Sequence, residues 1–509
     1  MTELNNAERT ELRALSDLTY CNPFEPVRIE LEQTVLGNQY QPESTVSWSR
    51  TAEMNRADRP NVVAITELAS KRVAELHERQ QVGGSLRGED AVLYDDLVTY
   101  TLYYGHIARL ANEQIADGSH AGMAWKAFRD DREHLHAPLA PAERARLTEH
   151  DHLFACLHQV RRAFNGIFTC LIGDSAPSTR LRAAVWQSIF THDLRRYRRV
   201  LFRQMSELST LVVGPSGSGK ELVAQAIGHA QYWPFDSKTA SFPAGEAAFT
   251  ALNLSALSPT LIESELFGHR KGSFTGASGD HAGWLERCPA HGAVLLDEIG
   301  ELDPTLQVKL LRVAQTRDYS RLGETKPRHY AGKLLAATNR DLAAEMRAGR
   351  FREDLYYRLC SDRLVVPSLA EQLADRPETL GGLVRFLASR VLGDADDQET
   401  ESLANEVEAW IAERLPPAYA WPGNIRELEQ CVRSVLVRRE YHPAKSDEPE
   451  RADWLQRAER CELTADELLD AYCQLAYRHN GGYEPAARAI GLDRRTIKAR
   501  VTKEASSKA

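Results

Sequence analysis

Gly214-Pro215-Ser216-Gly217-Ser218-Gly219-Lys220 follows the short apolar run Leu211-Val212-Val213 and precedes a helical stretch, Glu221 to Ala230. Strand, glycine-rich loop and helix in this order form a phosphate cradle. Glycines let the backbone close around phosphate oxygens with its N–H groups turned inward. The helix N-terminus adds positive potential, and Lys220 supplies a point charge for the β and γ phosphates. Downstream, Gly292-Ala293-Val294-Leu295-Leu296-Asp297-Glu298 reads as a buried strand ending in two carboxylates. Asp297 can hold Mg²⁺ directly or through water, and Glu298 can polarise an attacking water, the positioning that phosphoryl transfer needs.

Between these two motifs lies Gly272-Ser273-Phe274-Thr275-Gly276-Ala277. Two glycines with an exposed Phe and a Thr make a poor core strand. They suit a mobile tip that touches another molecule, and the neighbouring Arg270-Lys271 argues against Phe274 packing inward as core. With Glu263-Ser264-Glu265-Leu266-Phe267-Gly268-His269 just before it, the segment resembles the AAA+ domain of bacterial activators that act on sigma-54 RNA polymerase. The resemblance covers residues 172 to 440.

That resemblance implies roles for further residues. The residue after the lysine is Glu221, where most phosphate loops carry Ser or Thr for the metal; the family also has Glu there. Ala336-Ala337-Thr338-Asn339-Arg340-Asp341 is similar to the strand whose polar residue reads the γ-phosphate, with Thr338 and Asn339 as candidates. Asn253 matches the asparagine that holds the catalytic glutamate off its water; as a lone residue it reads equally as a turn or cap. Arg352 and Arg358, six apart, match arginines that reach a neighbouring subunit's ATP. The alternative for both is a salt-bridged helix surface. Trp421-Pro422-Gly423-Asn424-Ile425-Arg426-Glu427-Leu428 resembles the lid signature in which Arg426 contacts phosphate. A site completed by a neighbour's arginine implies a ring, a hexamer in the family, with a dimer before activation. The tip would press Phe274 and Thr275 on the sigma factor. Three departures stand out: Ser273 for the family's Ala, Pro367-Ser368-Leu369-Ala370-Glu371-Gln372 in place of an arginine-bearing segment, and a longer Tyr232 to Leu252 stretch.

The elements that position these groups follow from patterning. A chain of 509 residues carries about three domains. Residues 1–171 read as a mostly α N-terminal regulatory domain, with helical spacing over Val62 to Gln80 and Val92 to Ile115 and a break at Tyr20-Cys21-Asn22-Pro23-Phe24. No receiver-type parallel-sheet pattern is present there. His150, His152, Cys156 and His158 lack a full ligand set and read as scattered surface histidines. Residues 172–369 read as an α/β core with a parallel sheet: helical, basic residues run to Arg203, and from Leu208 short apolar strands alternate with helices. Residues 370–442 read as a helical lid and 443–462 as a polar linker.

Residues 463–509 read as an all-α helix-turn-helix resembling the Fis-type unit of the same activators. Tyr483 to Ile490 and Arg494 to Val501 are its helices, Gly491 lies in the turn and Asp493 is an N-cap candidate. From Asn480 onward seven Lys/Arg face three Asp/Glu, against a formal charge of −9 for the whole chain. Arg494, Arg495, Thr496, Lys498 and Arg500 are therefore the candidate contacts to double-stranded DNA. No apolar run of about 18 residues suggests a membrane span, and scattered cysteines without a Cys-x-x-Cys pair fit a reducing cytoplasm. The expectation is an ATP- and Mg²⁺-dependent ring that binds upstream DNA and remodels sigma-54 RNA polymerase holoenzyme. A remodeller of another protein and an ATP-assembled DNA-binding repressor are the alternatives.

Overall fold

A computed structural model describes residues 4–42, 59–82, 84–110, 121–243, 249–393, 397–416, 418–443, 457–458 and 462–503. The chain separates into two compact units, Met1–Glu440 and Tyr441–Ala509. Most of the expected linker, and the end of the helix expected to reach Ile115, lie outside the described residues.

The first unit opens with α1 (Asn6–Tyr20), α2 (Val27–Leu36), α3 (Pro60–Val82), α4 (Gly88–Leu110), α5 (Ala121–Leu135), the single turn α6 (Pro141–Arg144) and α7 (His150–Cys170). A capping box starts α1, in which Asn5 Oδ1 takes Glu8 N and the Glu8 carboxylate takes Asn5 N. It stops at Tyr20, where the Cys21-Asn22-Pro23 break was expected. Leu15, Ile65, Tyr94, Leu97, Phe128 and Phe154 form the fully buried centre of this bundle. The α7 helix serves two cores. Leu153, Phe154 and Leu157 face the bundle, while Ala163, Phe164 and Ile167 face the sheet region, where α8 (Ala176–Phe190) also packs.

The sheet runs β2-β3-β6-β1-β7, all parallel, from β1 (Thr210–Val213), β2 (Phe249–Asn253), β3 (Ala293–Asp297), β6 (Lys333–Thr338) and β7 (Asp362–Val365). β4 (Asp318–Tyr319) and β5 (Arg328–His329) make a separate two-residue ladder. Side chains alternate between two apolar layers: Val212, Leu295 and Leu335 on one face, Leu211, Val294, Leu296 and Leu334 on the other. Burial on both faces explains why these strands read as unbroken apolar runs. The helices Thr379–Leu392, Asp397–Arg414 and Asn424–Arg438 form the lid. A helical N-terminal part, a central α/β part with a parallel sheet and further helices after it are the multidomain arrangement expected above.

The departures from the family pattern have structural answers. Ser368 caps the helix Leu369–Asp375 in a capping box with Glu371, and the buried Gln372 accepts a hydrogen bond from Ser178 Oγ at 2.8 Å. The described part of the long stretch after the phosphate-loop helix is exposed from Asp236 to Thr239 but anchored on both sides of that segment. Its Trp233, Phe235 and Phe242 are buried in the N-terminal bundle core. The histidine reading is corrected: His158 is 2% exposed, with Nδ1 on Leu110 O at 3.2 Å. Both nitrogens of His152 are used, on Tyr232 Oη and Arg198 O, each at 2.7 Å. Packing along α7 on two sides leaves these rings little solvent.

The second unit is a three-helix cluster, Ala465–Asn480, Tyr483–Ile490 and Arg494–Lys503, around Cys473, Ala476, Ala486, Ala487 and Ile497. Small residues at 486 and 487 let the helices approach closely. Gly491, at φ 70°, supplies the left-handed turn. Among the described residues no helix is long and apolar enough to cross a membrane.

Candidate functional site

The phosphate loop joins β1 to α10 (Lys220–His229). Gly217 and Gly219 take φ of 74° and 97°, a region costly for any other residue. Lys220 is buried and its Nζ donates to Gly214 O at 3.1 Å and Pro215 O at 3.2 Å, so the ammonium bridges the loop. Burial pulls the Lys220 ammonium below its ordinary value, opposed by the Glu298 and Asp297 carboxylates. Ser218 Oγ is buried in the loop without a hydrogen-bond partner, an atom that an incoming oxygen would satisfy.

The lid signature closes over this loop. Asn424, in the left-handed region at φ 53°, donates from Nδ2 to Ser216 O at 2.9 Å and accepts Leu369 N at 2.8 Å. Arg426 N donates to Gly217 O at 3.3 Å and Arg426 Nη1 to Ser216 Oγ at 3.2 Å. A Cβ on Gly217 would lie 2.2 Å from Gly423 O. The glycine is thus required by the lid as well as by the loop's own turn.

Asp297 ends β3 and sits in register with Asn253 at the end of β2. Its Oδ1 takes Glu298 N at 3.0 Å, and it makes no ion pair among the described residues, which suits a cation ligand. Glu298 adopts φ 56°, ψ 48°, and Oε2 accepts from Asn339 N at 3.2 Å. The expected hold of Asn253 on Glu298 is not the contact formed. Asn253 Oδ1 instead accepts from Ser255 N at 2.9 Å and Ser255 Oγ at 2.7 Å, the turn arrangement. Of the two γ-phosphate candidates, Thr338 is fully buried with Oγ1 on Arg340 N at 3.1 Å, while Asn339 is exposed beside Glu298. Glu221 is exposed on the first turn of α10.

Arg352 and Arg358 stand on and beside the helix Glu353–Leu359, both exposed. Arg352 is paired with Asp354 through two hydrogen bonds of 3.0 and 2.6 Å. Arg358 makes no ion pair among the described residues.

The tip hangs from a base formed by His269, which bridges to His281 and to Leu322. Gly272, at φ 80°, donates its N–H to Ala277 O at 2.9 Å, and Ala277 N donates to Phe274 O at 3.0 Å. These bonds close a small loop, with Ala277 buried at its foot and Thr275 and Gly276 exposed at its end. Cβ atoms on Gly272 or Gly276 would meet nothing within 4 Å. Phe274 is half-buried with its ring 4.9 Å from that of His269, outside the buried cores. Ser273 uses its hydroxyl locally, donating to Arg270 O at 2.7 Å.

In the second unit, Asp493 Oδ1 accepts from Arg495 N at 2.7 Å, capping the last helix. Arg494, Arg495 and Lys498 are exposed and Thr496 half-buried. Arg500 differs from the expectation. It is held by Asp470 at 2.5 Å and Asp466 at 3.1 Å on the first helix of its own unit, because its place on the last helix faces back into the bundle.

Comparison with known proteins places the centre of the chain. Residues 189–364 match the family model described as Sigma-54 interaction domain. The Nif-specific regulatory protein of Azotobacter vinelandii is 42% identical over 230 residues, 45% of this chain and 40% of that protein. The transcriptional regulatory protein ZraR of Escherichia coli (strain K12) is 36% identical over 306 residues, 58% of this chain and 64% of that protein. The regulatory protein AtoC of the same organism is 39% identical over 233 residues, 46% of each. The chain thus spans less than two thirds of these relatives' lengths. Strand order, phosphate loop and tip all fall in or beside the segment that matches the Sigma-54 interaction domain.

Proposed function

We propose that the chain is an ATP-hydrolysing transcription activator that remodels sigma-54 RNA polymerase. The observation that carries this is the docking of Asn424 and Arg426 on the carbonyl and hydroxyl groups of Ser216 and Gly217. It sets a lid, a phosphate loop and the Asp297–Glu298 strand end around one space, with a glycine-based tip on the same core. Lys220, the inward N–H groups and the α10 N-terminus bind the phosphates. Asp297 would hold Mg²⁺, which when bound neutralises phosphate charge. Glu298 orients the attacking water, and Asn339, already on Glu298, is placed to report the γ-phosphate. Arg352 and Arg358 face outward to serve the site of a neighbouring copy in a hexameric ring. Arg352 would first give up Asp354.

The tip, Gly272 to Ala277 with Phe274 and Thr275 at its centre, contacts the sigma factor. Arg494, Arg495, Thr496 and Lys498 contact upstream DNA, with Arg500 holding the helix in place. The test compares ATP hydrolysis and open-complex formation in Phe274→Ala. Hydrolysis within about twofold of the parent with loss of open complexes is expected. Full promoter opening by Phe274→Ala would falsify the role of the tip.

A further inference from the structure

Ser273 is the tip residue that departs from the family pattern, and its neighbours form a second pattern. Arg270 and Lys271 stand three and two residues before it, and Phe274 follows it. Of the serines in the chain, only Ser273 has Lys or Arg at both of those places. Two cations ahead of a hydroxyl and an apolar side chain behind it suit a protein serine kinase with acidic subsites and one apolar subsite.

A kinase cleft takes its substrate as an extended segment, which an exposed loop can supply. The segment 268–283 lies between the helices Pro259–Phe267 and Trp284–Arg287, with no strand beyond single-residue bridges at His269 and His281. Lys271, Gly272, Thr275, Gly276, Ser278 and Gly279 are exposed. Gly272 and Gly276, at positive φ with open space beside them, let the loop swing outward without a clash.

The hydroxyl now serves as a latch. Ser273 Oγ and Ser273 N both donate to Arg270 O, at 2.7 and 3.2 Å. Arg270 N donates to Leu322 O at 3.0 Å, and a Cβ on Gly323 would stand 2.9 Å from Ser273 Cβ. Ser273 is thus where the tip rests on the turn at 322–323. Arg270 pairs with Asp280 and lies 3.9 Å from Glu324, and Lys271 N donates to Asp280 Oδ1 at 2.9 Å.

A phosphate on Ser273 undoes this arrangement. The esterified oxygen has no proton to donate, so its bond to Arg270 O is lost. About two negative charges then face a carbonyl oxygen and the carboxylates of Asp280 and Glu324. Arg270 would be drawn from Asp280 to the phosphate. The tip leaves its rest, and its face beside Phe274 goes from two cations to near neutrality.

We propose that Ser273 is a phosphorylation site for a protein serine kinase that reads paired cations before its target, and that phosphate there uncouples the tip from its partner. Ser273 Oγ attacks the γ-phosphorus of ATP held by the kinase. The bond from that phosphorus to the β–γ bridging oxygen breaks, ADP leaves, and the hydroxyl proton passes to a base of the kinase. The site does not depend on the function proposed above; the uncoupling rests on that reading.

The probe is the catalytic subunit of cyclic-AMP-dependent protein kinase, which takes serines after paired basic residues. With radiolabelled ATP the full chain should take up about one phosphate, mapped to Ser273 by peptide mass spectrometry. Ser273→Ala should lose that label, and Lys271→Ala should slow its incorporation by about tenfold or more. The phosphorylated chain should hydrolyse ATP within about twofold of a chain treated with inactive kinase, yet form open complexes at least about tenfold less well. Phosphatase treatment should restore them. No incorporation into the folded chain, incorporation only after denaturation in urea, or label on Thr275 or Ser278 instead overturns the site. Undiminished promoter opening with phosphate on Ser273 overturns the uncoupling. An untreated parent that opens no sigma-54 promoter refutes the functional reading, and the incorporation result still decides the site.

Discussion

Replacing Gly217 by Ala tests whether the lid closes on the phosphate loop as described. The backbone there sits at φ 74°, which costs a side-chain-bearing residue about 1 kcal/mol. The larger effect is steric. The new Cβ would stand 2.2 Å from Gly423 O and 3.0 Å from Arg426 Cβ. One contact partner is backbone, so the lid segment must retreat by about an ångström to reach an ordinary separation. That retreat loses the bonds from Arg426 N to Gly217 O, Asn424 Nδ2 to Ser216 O and Arg426 Nη1 to Ser216 Oγ. At about 1 kcal/mol each, these amount to about 3 kcal/mol. If nucleotide binds the lid-closed arrangement, affinity should fall by about a hundredfold. Titration with a fluorescent ATP analogue reads this directly. Gly349→Ala is the control: it has φ 70° but nothing within 4 Å of its Cβ, so it bears the backbone cost alone and should leave nucleotide affinity unchanged. If Gly217→Ala binds nucleotide as tightly as Gly349→Ala, the lid is not engaged through this glycine and the reasoning fails.

Lys220→Ala and Arg358→Ala should each lack ATPase activity alone, yet equal mixtures should regain about a quarter of parental turnover, because a quarter of the interfaces pair an intact lysine with an intact arginine; no recovery on mixing places Arg358 outside any shared site. His158 is held down to about 3, chiefly by burial and secondarily by Arg162. Its folded value lies below the unfolded value of about 6.5, so its contribution is complete above that pH and is lost as pH falls toward the folded value. Urea titrations should show about 2 kcal/mol less stability at pH 5 than at pH 7.5 from this group, and His158→Leu should remove that difference. A chain lacking residues 1–171 exposes Trp233, Phe235 and Phe242, side chains worth about 6 kcal/mol of burial together. Light scattering should report aggregation, relieved when all three are changed to Ser; a monodisperse truncated chain with those residues intact contradicts their packing.

Much of the core was legible because its signals are local. A phosphate loop needs its glycines at fixed offsets, and a doubly covered parallel strand must be apolar at every position, so β1, β3 and β6 announce themselves. Helix limits were legible where caps are built from neighbours, as at Asp493. The helix-turn-helix followed from Gly491 in the turn between Tyr483 to Ile490 and Arg494 to Val501. Other features depend on partners far along the chain, and no period encodes them. Arg500 has the residue type of a DNA contact, but Asp466 and Asp470 on another helix claim it. Thr338 and Asn339 are adjacent in sequence and equally polar, yet the doubly covered β6 ends with Thr338 buried and leaves Asn339 exposed just beyond it. Asn253 was open between switch and turn, and the contact it makes in the structure is with Ser255, two residues on.

The boundary drawn at residue 171 shows the same limit with a larger consequence. Ile172-Gly173-Asp174-Ser175 interrupts the helical pattern there, and local pattern is all that a linear reading can follow. Yet α7 lends one stretch to the bundle and the next to the sheet layer, and the chain after α10 returns three aromatic side chains to the bundle core. Those aromatics looked like an irregular insertion because their partners, Trp125, Phe128 and Phe154 among them, lie about a hundred residues earlier. A core shared in this way is close-packed, and close-packed interiors pass displacement on instead of absorbing it. The bundle and the sheet region are thus joined through shared side chains, with no need of a flexible tether. Any change that repacks the bundle around Phe154 must also move Phe235 and the end of α10, and with it the helix that begins at Lys220.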